Sequence, residues 1–226
     1  MSMQHNKVNT VDRLAIIGAG DLGFSVLRLT NEIPHLRTVG FFDDNCESKK
    51  SIHGVSVLGT LESIEELWEQ KAFDSLIIAI GYNHIKFRKE LFTQLKALKI
   101  PFANVIHPSS IIATDAVVGE GTILFPGCVL DVGTYVGNNC VLNCGTTLAH
   151  DSRIDDHSMC GPRVSLAGFT HIHHSCFLGI GTTVIDNIKI EPYVRTGGGT
   201  VVIDNLAENY LYVGVPARPL KLISEE

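Results

Sequence analysis

The chain has 226 residues, 45% of them hydrophobic, and a formal net charge of −6 at pH 7. That length is enough for two modest domains with a sizeable core. The acidic balance disfavours a nucleic-acid groove, and no apolar run approaches the roughly 20 residues of a membrane-spanning helix. The first ten residues, MSMQHNKVNT, are polar and contain no signal-peptide core, so a cytoplasmic protein is expected. The six cysteines (Cys46, Cys128, Cys140, Cys144, Cys160, Cys176) include no CxxC pair and are too few for a disulfide scaffold of this size.

In chain order, residues 13–106 read as α/β. Leu14–Ile17 is a short buried strand. It runs into Gly18-Ala19-Gly20-Asp21-Leu22-Gly23 and an amphipathic stretch through Leu29. Thr38–Phe42 is a second strand closed by Asp43-Asp44-Asn45, and Val55–Leu58 a weaker one. Leu61–Gln70 reads as helix with Thr60 as its cap. Ser75–Ile80 is a strand ending at Gly81, His84–Lys99 a helix stopped by Pro101, and Phe102–Ile106 a last strand. Strands alternating with helices imply a parallel sheet.

After His107-Pro108 the pattern changes, which places a domain boundary between residues 108 and 109. From Ile112 to Val202 an aliphatic residue recurs every six positions, interrupted only by Cys160 and Thr196. A second, mostly small position follows four residues after each. This hexad predicts a parallel β-helix of a little over five coils, three hexads to a coil, with no inserted loop. Cys128, Cys140, Cys160 and Cys176 fall on its inward positions, as reduced core fillers. The tail from Glu208 leaves the repeat and caps the last coil. So narrow a helix buries few side chains per coil, which predicts self-association along one flat side, as a trimer.

Four features bear on chemistry. Gly18–Gly23 follows a strand and opens a helix, so the helix N-terminus could receive a phosphate, with Asp43 near the position of a ribose-binding acid. The alternative is a glycine turn that only packs helix on strand, and the carboxylate of Asp21 would repel a phosphate. His150-Asp151 leaves the inward positions at a coil corner, where a carboxylate can orient an imidazole as a general base. The alternative is an exposed surface histidine. Among His157, His171, His173 and His174, none stands five residues from another, the spacing of zinc-holding trimeric β-helices, so no metal is expected. Finally Gly161, Gly168, Gly179, Gly181 and Gly197-Gly198-Gly199 are corner glycines, or a bare channel for a long thin ligand such as the pantetheine arm of coenzyme A, with Arg195 or Arg218 at its phosphates.

Ile16–Gly20, Phe42-Asp43-Asp44, Ile78–Asn83, Val105–Ser109, Leu142-Asn143, His150-Asp151, Cys176–Ile180, Gly197–Gly199 and Val213–Ala217 occur in this order along nearly the full length. In this set the chain resembles the bacterial sugar O-/N-acyltransferases of the NeuD and PglD type. The resemblance implies a small Rossmann-like nucleotide-sugar-binding domain (residues 1–108), a left-handed β-helix with a C-terminal cap (residues 109–226), and a homotrimer. It implies acetyl transfer from acetyl-CoA to a nucleotide-linked amino sugar in glycan precursor synthesis, without a metal. It assigns His150 as general base oriented by Asp151, with Asn143 near the reacting sugar. Gly161, Gly168, Gly179, Ile180, Gly181 and Gly198 would line the pantetheine arm. Gly18, Gly20, Asp21, Leu22, Asp43, Gly81 and Asn83 would form the nucleotide site, and a backbone N–H would supply the oxyanion hole. Two positions depart from the family pattern: Asp21-Leu22 replaces a small residue and a histidine, and Met159 stands where a second histidine is common. The latter contact is lost or supplied by His157. A non-catalytic scaffold that keeps the β-helix is the reading from another class, and a metal-dependent hydratase a third.

Overall fold

The computed structural model describes residues 11–45 and 51–223; Cys46 and the polar first ten residues lie outside the described residues. The N-terminal half is an α/β unit: β1 (Asp12–Ile17), α1 (Asp21–Thr30), β2 (Leu36–Phe42), β3 (Ser51–Ile52), β4 (Val55–Gly59), α2 (Ile64–Glu69), β5 (Ser75–Ile78) and α3 (Ile85–Ala97). The sheet order is β3-β4-β2-β1-β5, parallel except for the β3–β4 pair. The central strands are apolar runs because both of their faces are covered. The stretch expected as one helix from Leu61 opens instead as a 3-10 turn (Leu61–Ser63), and the Thr60 side chain makes no capping bond. The Ser63 hydroxyl donates to the Thr60 carbonyl instead.

The second half is a left-handed parallel β-helix. Strands of two residues recur every six, from β7 (Ile111–Ile112) to β22 (Val201–Val202). Each pairs with the strand eighteen residues on, as in Val129↔Thr147 and Val136↔Ile154. Three faces result. The first carries β7, β10, β13, β16, β19 and β22, the second β8, β11, β14, β17 and β20, and the third β9, β12, β15, β18 and β21. The inward column from Leu124 to Val202 is buried, and each aliphatic side chain so buried contributes about 1.5–3 kcal/mol. Cys128, Cys140, Cys160 and Cys176 sit in that column as free thiols. Burial pushes the first, second and fourth up to about 12 and raises Cys160 as well, so they stay protonated and inert.

The strand expected over Phe102–Ile106 is divided between the halves. Phe102 bridges to Leu76 of the α/β sheet, while β6 (Val105–Ile106) already pairs with Ile123–Leu124 of the third coil face. The coil stack therefore begins ahead of His107-Pro108. After β22 the chain adds β23 (Tyr210–Val213) and β24 (Arg218–Leu222), a hairpin that closes the third face at its far end.

The α/β unit packs on the third face. Ile123, Val141 and Met159 share one buried cluster with Val26, Leu27, Ala79 and Ile85, and Tyr82 stacks on Phe177 at 4.0 Å. Arg88 of α3 is completely buried at this junction. Its guanidinium donates to the carbonyls of Ile78 and Ile80 at the end of β5, and at 3.2 Å to that of Asn139 at a coil corner. Among the described residues no carboxylate pairs with it. Burial pushes it down to about 10, so it remains charged at neutral pH. Arg88→Met leaves three buried carbonyls short of a donor, each worth about 1–3 kcal/mol. The variant is expected to lose about 3 kcal/mol or more, a fall in Tm of roughly 6–12 °C, whereas Lys89→Met stays near the parent. Differential scanning fluorimetry of both variants checks this.

Candidate active site

Two separate places collect the residues singled out by sequence. The first is a cleft of about 670 Å³ between the α/β unit and the third coil face. Gly18, Gly20, Asp21, Leu22, Asp43 and Gly81 enter it from the α/β unit, and Asn143 and Gly161 from the coils. Asn83 does not line it, facing a neighbouring cavity of about 450 Å³ together with Lys86, Arg195 and Tyr193.

The glycine loop is shaped by packing and also left open. Gly18 has φ +98°, and a Cβ there would stand 2.8 Å from the Ala79 carbonyl oxygen. A Cβ on Gly23 would lie 2.0 Å from the Gly18 oxygen, so the helix can lie this close to the strand only without one. Gly20 has nothing within 4 Å of its Cβ position, and α1 starts there without a side-chain cap. Its first amides are available to an anion. Asp43 is partly committed: its carboxylate accepts from the Ala19 amide at 2.7 Å and from the Asn45 amide at 2.8 Å, which holds the loop against the end of β2.

The second place is the coil corner of His150 and Asp151. Asp151 has φ +56°, the left-handed conformation that recurs every six residues from Gly121 to Gly199, and this turns its carboxylate back along the chain. Asp151 Oδ2 lies 3.0 Å from His150 Nδ1, so Nδ1 carries the proton and Nε2 faces outward free to accept one. Both side chains are about half exposed. The coils above and below are bare at the matching positions. A Cβ on Gly168, eighteen residues after His150, would sit 2.6 Å from Cε1 and 2.8 Å from Nε2 of the ring. A Cβ on Gly133, eighteen before Asp151, would sit 2.6 Å from Oδ1. The Phe169 ring meets the imidazole edge-on at 5.1 Å. The dyad thus lies in a slot two glycines wide, a feature the sequence contains as the pairs 133/151 and 150/168.

The other expected ligand-lining residues divide between corners. Gly161, Gly179, Ile180, Gly181 and Gly198 share the corner between the third and first faces, stacked above Asn143. Gly168 is on the His150 corner, across the first face. Gly161 and Gly179 are needed for coil stacking: a Cβ on either would stand 2.7 Å from Ile180 N or 2.5 Å from Thr196 O. Arg195 faces the 450 Å³ cavity, and Arg218 is exposed on β24.

His157 is not placed for a sugar. It is buried between α3 and the coils, edge-on to Phe92, with Nδ1 3.1 Å from Asn139 Nδ2. Burial pushes it down to about 4. Met159 is buried too, with one side on the cleft. Two of the four clustered histidines converge with a carboxylate. His171 and His173 lie beside Asp155, brought together by a two-residue step along one strand and an eighteen-residue step between coils.

Residues 13–95 match the family described as PglD N-terminal domain. UDP-N-acetylbacillosamine N-acetyltransferase of Bacillus subtilis (strain 168) is 32% identical over 113 residues. That alignment covers 49% of this chain and spans half the length of the curated relative. A variant of perosamine N-acetyltransferase from Caulobacter crescentus, solved with CoA and GDP-perosamine, superposes with a TM-score of 0.86. It is 27% identical, over 94% of this chain and 98% of that one. This chain resembles sugar N-acetyltransferases. The acetyltransferase domain of PglB from Neisseria gonorrhoeae, solved with acetyl coenzyme A, adds a TM-score of 0.85 at 25% identity, over 92% and 99% of the two chains. The likeness spans both halves, as the sequence motifs implied. Among the described residues no helix is long and apolar enough to cross a membrane.

The burial of His157 sets a pH dependence. Unfolded, it takes up a proton near pH 6.5; folded, only near pH 4. Its contribution to stability is therefore full above pH 6.5 and is lost as pH falls toward 4, by up to about 1.4 kcal/mol per pH unit. Urea unfolding from pH 7.5 to 4.5 is expected to show a shallower slope in His157→Gln than in the parent.

Proposed function

We propose that this chain is an acetyl-CoA-dependent N-acetyltransferase acting on a nucleotide-linked amino sugar, with His150 as general base. The observation that carries the reading is the His150–Asp151 pair, with its free Nε2 set between bare coils. Likeness over nearly the full chain to an enzyme solved with CoA and GDP-perosamine supports the substrate classes. The sugar amine attacks the thioester carbonyl while His150 Nε2 removes its proton, and Asp151 stabilises the resulting imidazolium. The tetrahedral oxyanion rests on a backbone N–H and collapses, the C–S bond breaks, and the imidazolium returns its proton to the departing CoA sulfur. Attack is direct in this reading, and the four core cysteines, held protonated in the coil interior, take no part.

The reading includes a homotrimer. The nucleotide cleft with Asn143 opens at one edge of the first face, and His150 stands at the other edge, outside the cleft. A neighbouring copy would bring its His150 to this chain's cleft. The outward residues of the first face suit such a contact. Ile111, Val129, Thr147, Ala149, Ser165, Ala167, Thr183, Ile185, Val201 and Ile203 are uncharged, Asp131 is the one charged residue in these two outward rows, and Ile111, Ile185 and Ile203 are exposed. The second face instead carries Arg153, Asp155, Lys189 and Glu191. In this reading the pantetheine arm runs along Gly161, Gly179, Ile180, Gly181 and Gly198, and Gly168 keeps space for the imidazole. The nucleotide rests on Gly18, Gly20, Asp21, Leu22, Asp43 and Gly81. In this reading the enzyme works in the cytoplasm on precursors of surface glycans.

His150→Ala is expected to lower kcat by about 10²–10⁴-fold while acetyl-CoA still raises Tm. Normal turnover in that variant would sink the assignment, and no stabilisation of the parent by acetyl-CoA would favour a scaffold. Gly168→Ala should displace the ring and lower kcat with little change in KM. Subunit sharing has its own test. Gly20→Phe fills the cleft without touching its own fold, so it and His150→Ala are each expected to be inactive. Trimers refolded from a mixture of the two are expected to regain activity; no recovery would place cleft and base in one chain.

A further inference from the structure

The second coil face carries a cluster that acyl transfer does not use. His171 and His173 flank the inward Ile172 of β17 (His171–Ile172), so both project outward, with rings stacked at 4.0 Å. Ile154 pairs with Ile172 in parallel register, which sets Asp155 directly below His173. Asp155 Oδ2 lies 2.8 Å from His171 Nε2 and 3.5 Å from His173 Nδ1. One ligand atom from each of the three residues falls within 4.8 Å of the others.

These spacings are those of a coordination sphere. Zinc binds nitrogen and oxygen at about 2.0–2.1 Å, so tetrahedral ligands stand roughly 3.3 Å apart. The carboxylate is oriented for the task. Arg153 Nε donates to the other oxygen, Oδ1, at 2.5 Å, and the Arg153 guanidinium is itself fixed over the Tyr135 ring at 4.0 Å. From the coil above, Glu191 Oε2 lies 3.9 Å from His173 Nε2, beyond hydrogen-bonding distance, and places a further negative charge on the side of the ring away from Nδ1. The three side chains are 20–30% exposed, which gives an ion access and leaves a coordination position for water. His174 is not part of the group, since its ring meets Tyr193 edge-on at the next corner.

We propose that Asp155, His171 and His173 form a site for a divalent transition cation of the zinc class, clasping two successive coils. Two imidazoles and one carboxylate favour zinc or cobalt over magnesium or calcium, which prefer all-oxygen shells. The site lies on the charged second face and is separate from the cleft.

The test uses the full chain with any affinity tag removed, stripped with chelator and then loaded with zinc or cobalt(II). Elemental analysis after gel filtration is expected to find one zinc per chain, and the cobalt form the visible bands of a tetrahedral site. His171→Ala and His173→Ala should each weaken binding by at least about 100-fold, the upper end of what losing even an outer contact does. His174→Ala should leave it unchanged. Zinc should raise Tm in the parent and in His174→Ala only. The side chains point outward, so the variants should match the stripped parent in Tm; if one does not fold, Asp155→Asn asks the same question. No zinc retained at micromolar concentration, or equal retention in the His171→Ala/His173→Ala double variant, would overturn the proposal.

Discussion

Each coil of the helix is eighteen residues long with no insertion from Ile111 to Val202, so every outward side chain has its vertical neighbours set by arithmetic. The apolar inward column enforces this. A one-residue slip would turn Leu, Ile and Val outward and expose the hydrogen-bonded ladder of every later coil. Function here is written in the spaces this rule leaves. Gly133 beneath Asp151 and Gly168 above His150 are absent side chains, and their absence lets a histidine and a carboxylate lie flat against the stack at 3.0 Å. The same rule sets Asp155 under His173.

The α/β unit obeys no such rule, and its position rests on a junction of its own. Arg88 carries a buried positive charge to three carbonyl oxygens, two at the end of β5 and one at a coil corner. A charge without a carboxylate is an expensive thing to bury, and it persists only where several acceptors converge. Here they tie the strand end bearing Gly81 to the coils bearing Asn143 and Gly161. The dimensions of the cleft follow from that tie. His157 and Asn139, at the same junction, serve as packing and hydrogen-bonding groups.

The distribution of residues over the three faces gives each a different task. The third face is covered by the α/β unit, the second is charged, and the first is open and mostly small and uncharged, with Asp131 its one charged outward residue in these rows. Asn143 and Gly161, on the cleft, and His150 stand at opposite edges of the open face. That separation makes sense of a narrow helix that buries little by itself: a neighbouring copy would supply both the missing burial and the missing chemical group.

The sequence by itself determined a great deal where structure is periodic. The hexad was enough for the coil count, the inward cysteines and the corner position of His150-Asp151, because a strict repeat turns sequence distance into spatial distance. The alternation of strand and helix was likewise enough for the parallel sheet. What it left undecided lies where two periodicities meet or where contacts cross between coils. Phe102–Ile106 read as one strand, but the chain changes partner within it, and both partners accept apolar residues. His157 read as a candidate sugar contact from its corner position; the docking of α3 buries it instead. Asn83 read as part of the cleft and faces the next cavity. Asp155 joins His171 and His173 only in space, because that proximity combines a step along a strand with a step between coils. Tertiary structure decided these because burial and convergence depend on which surfaces meet, and Arg88 shows that one side chain can decide it from α3, far along the chain from the coils it holds.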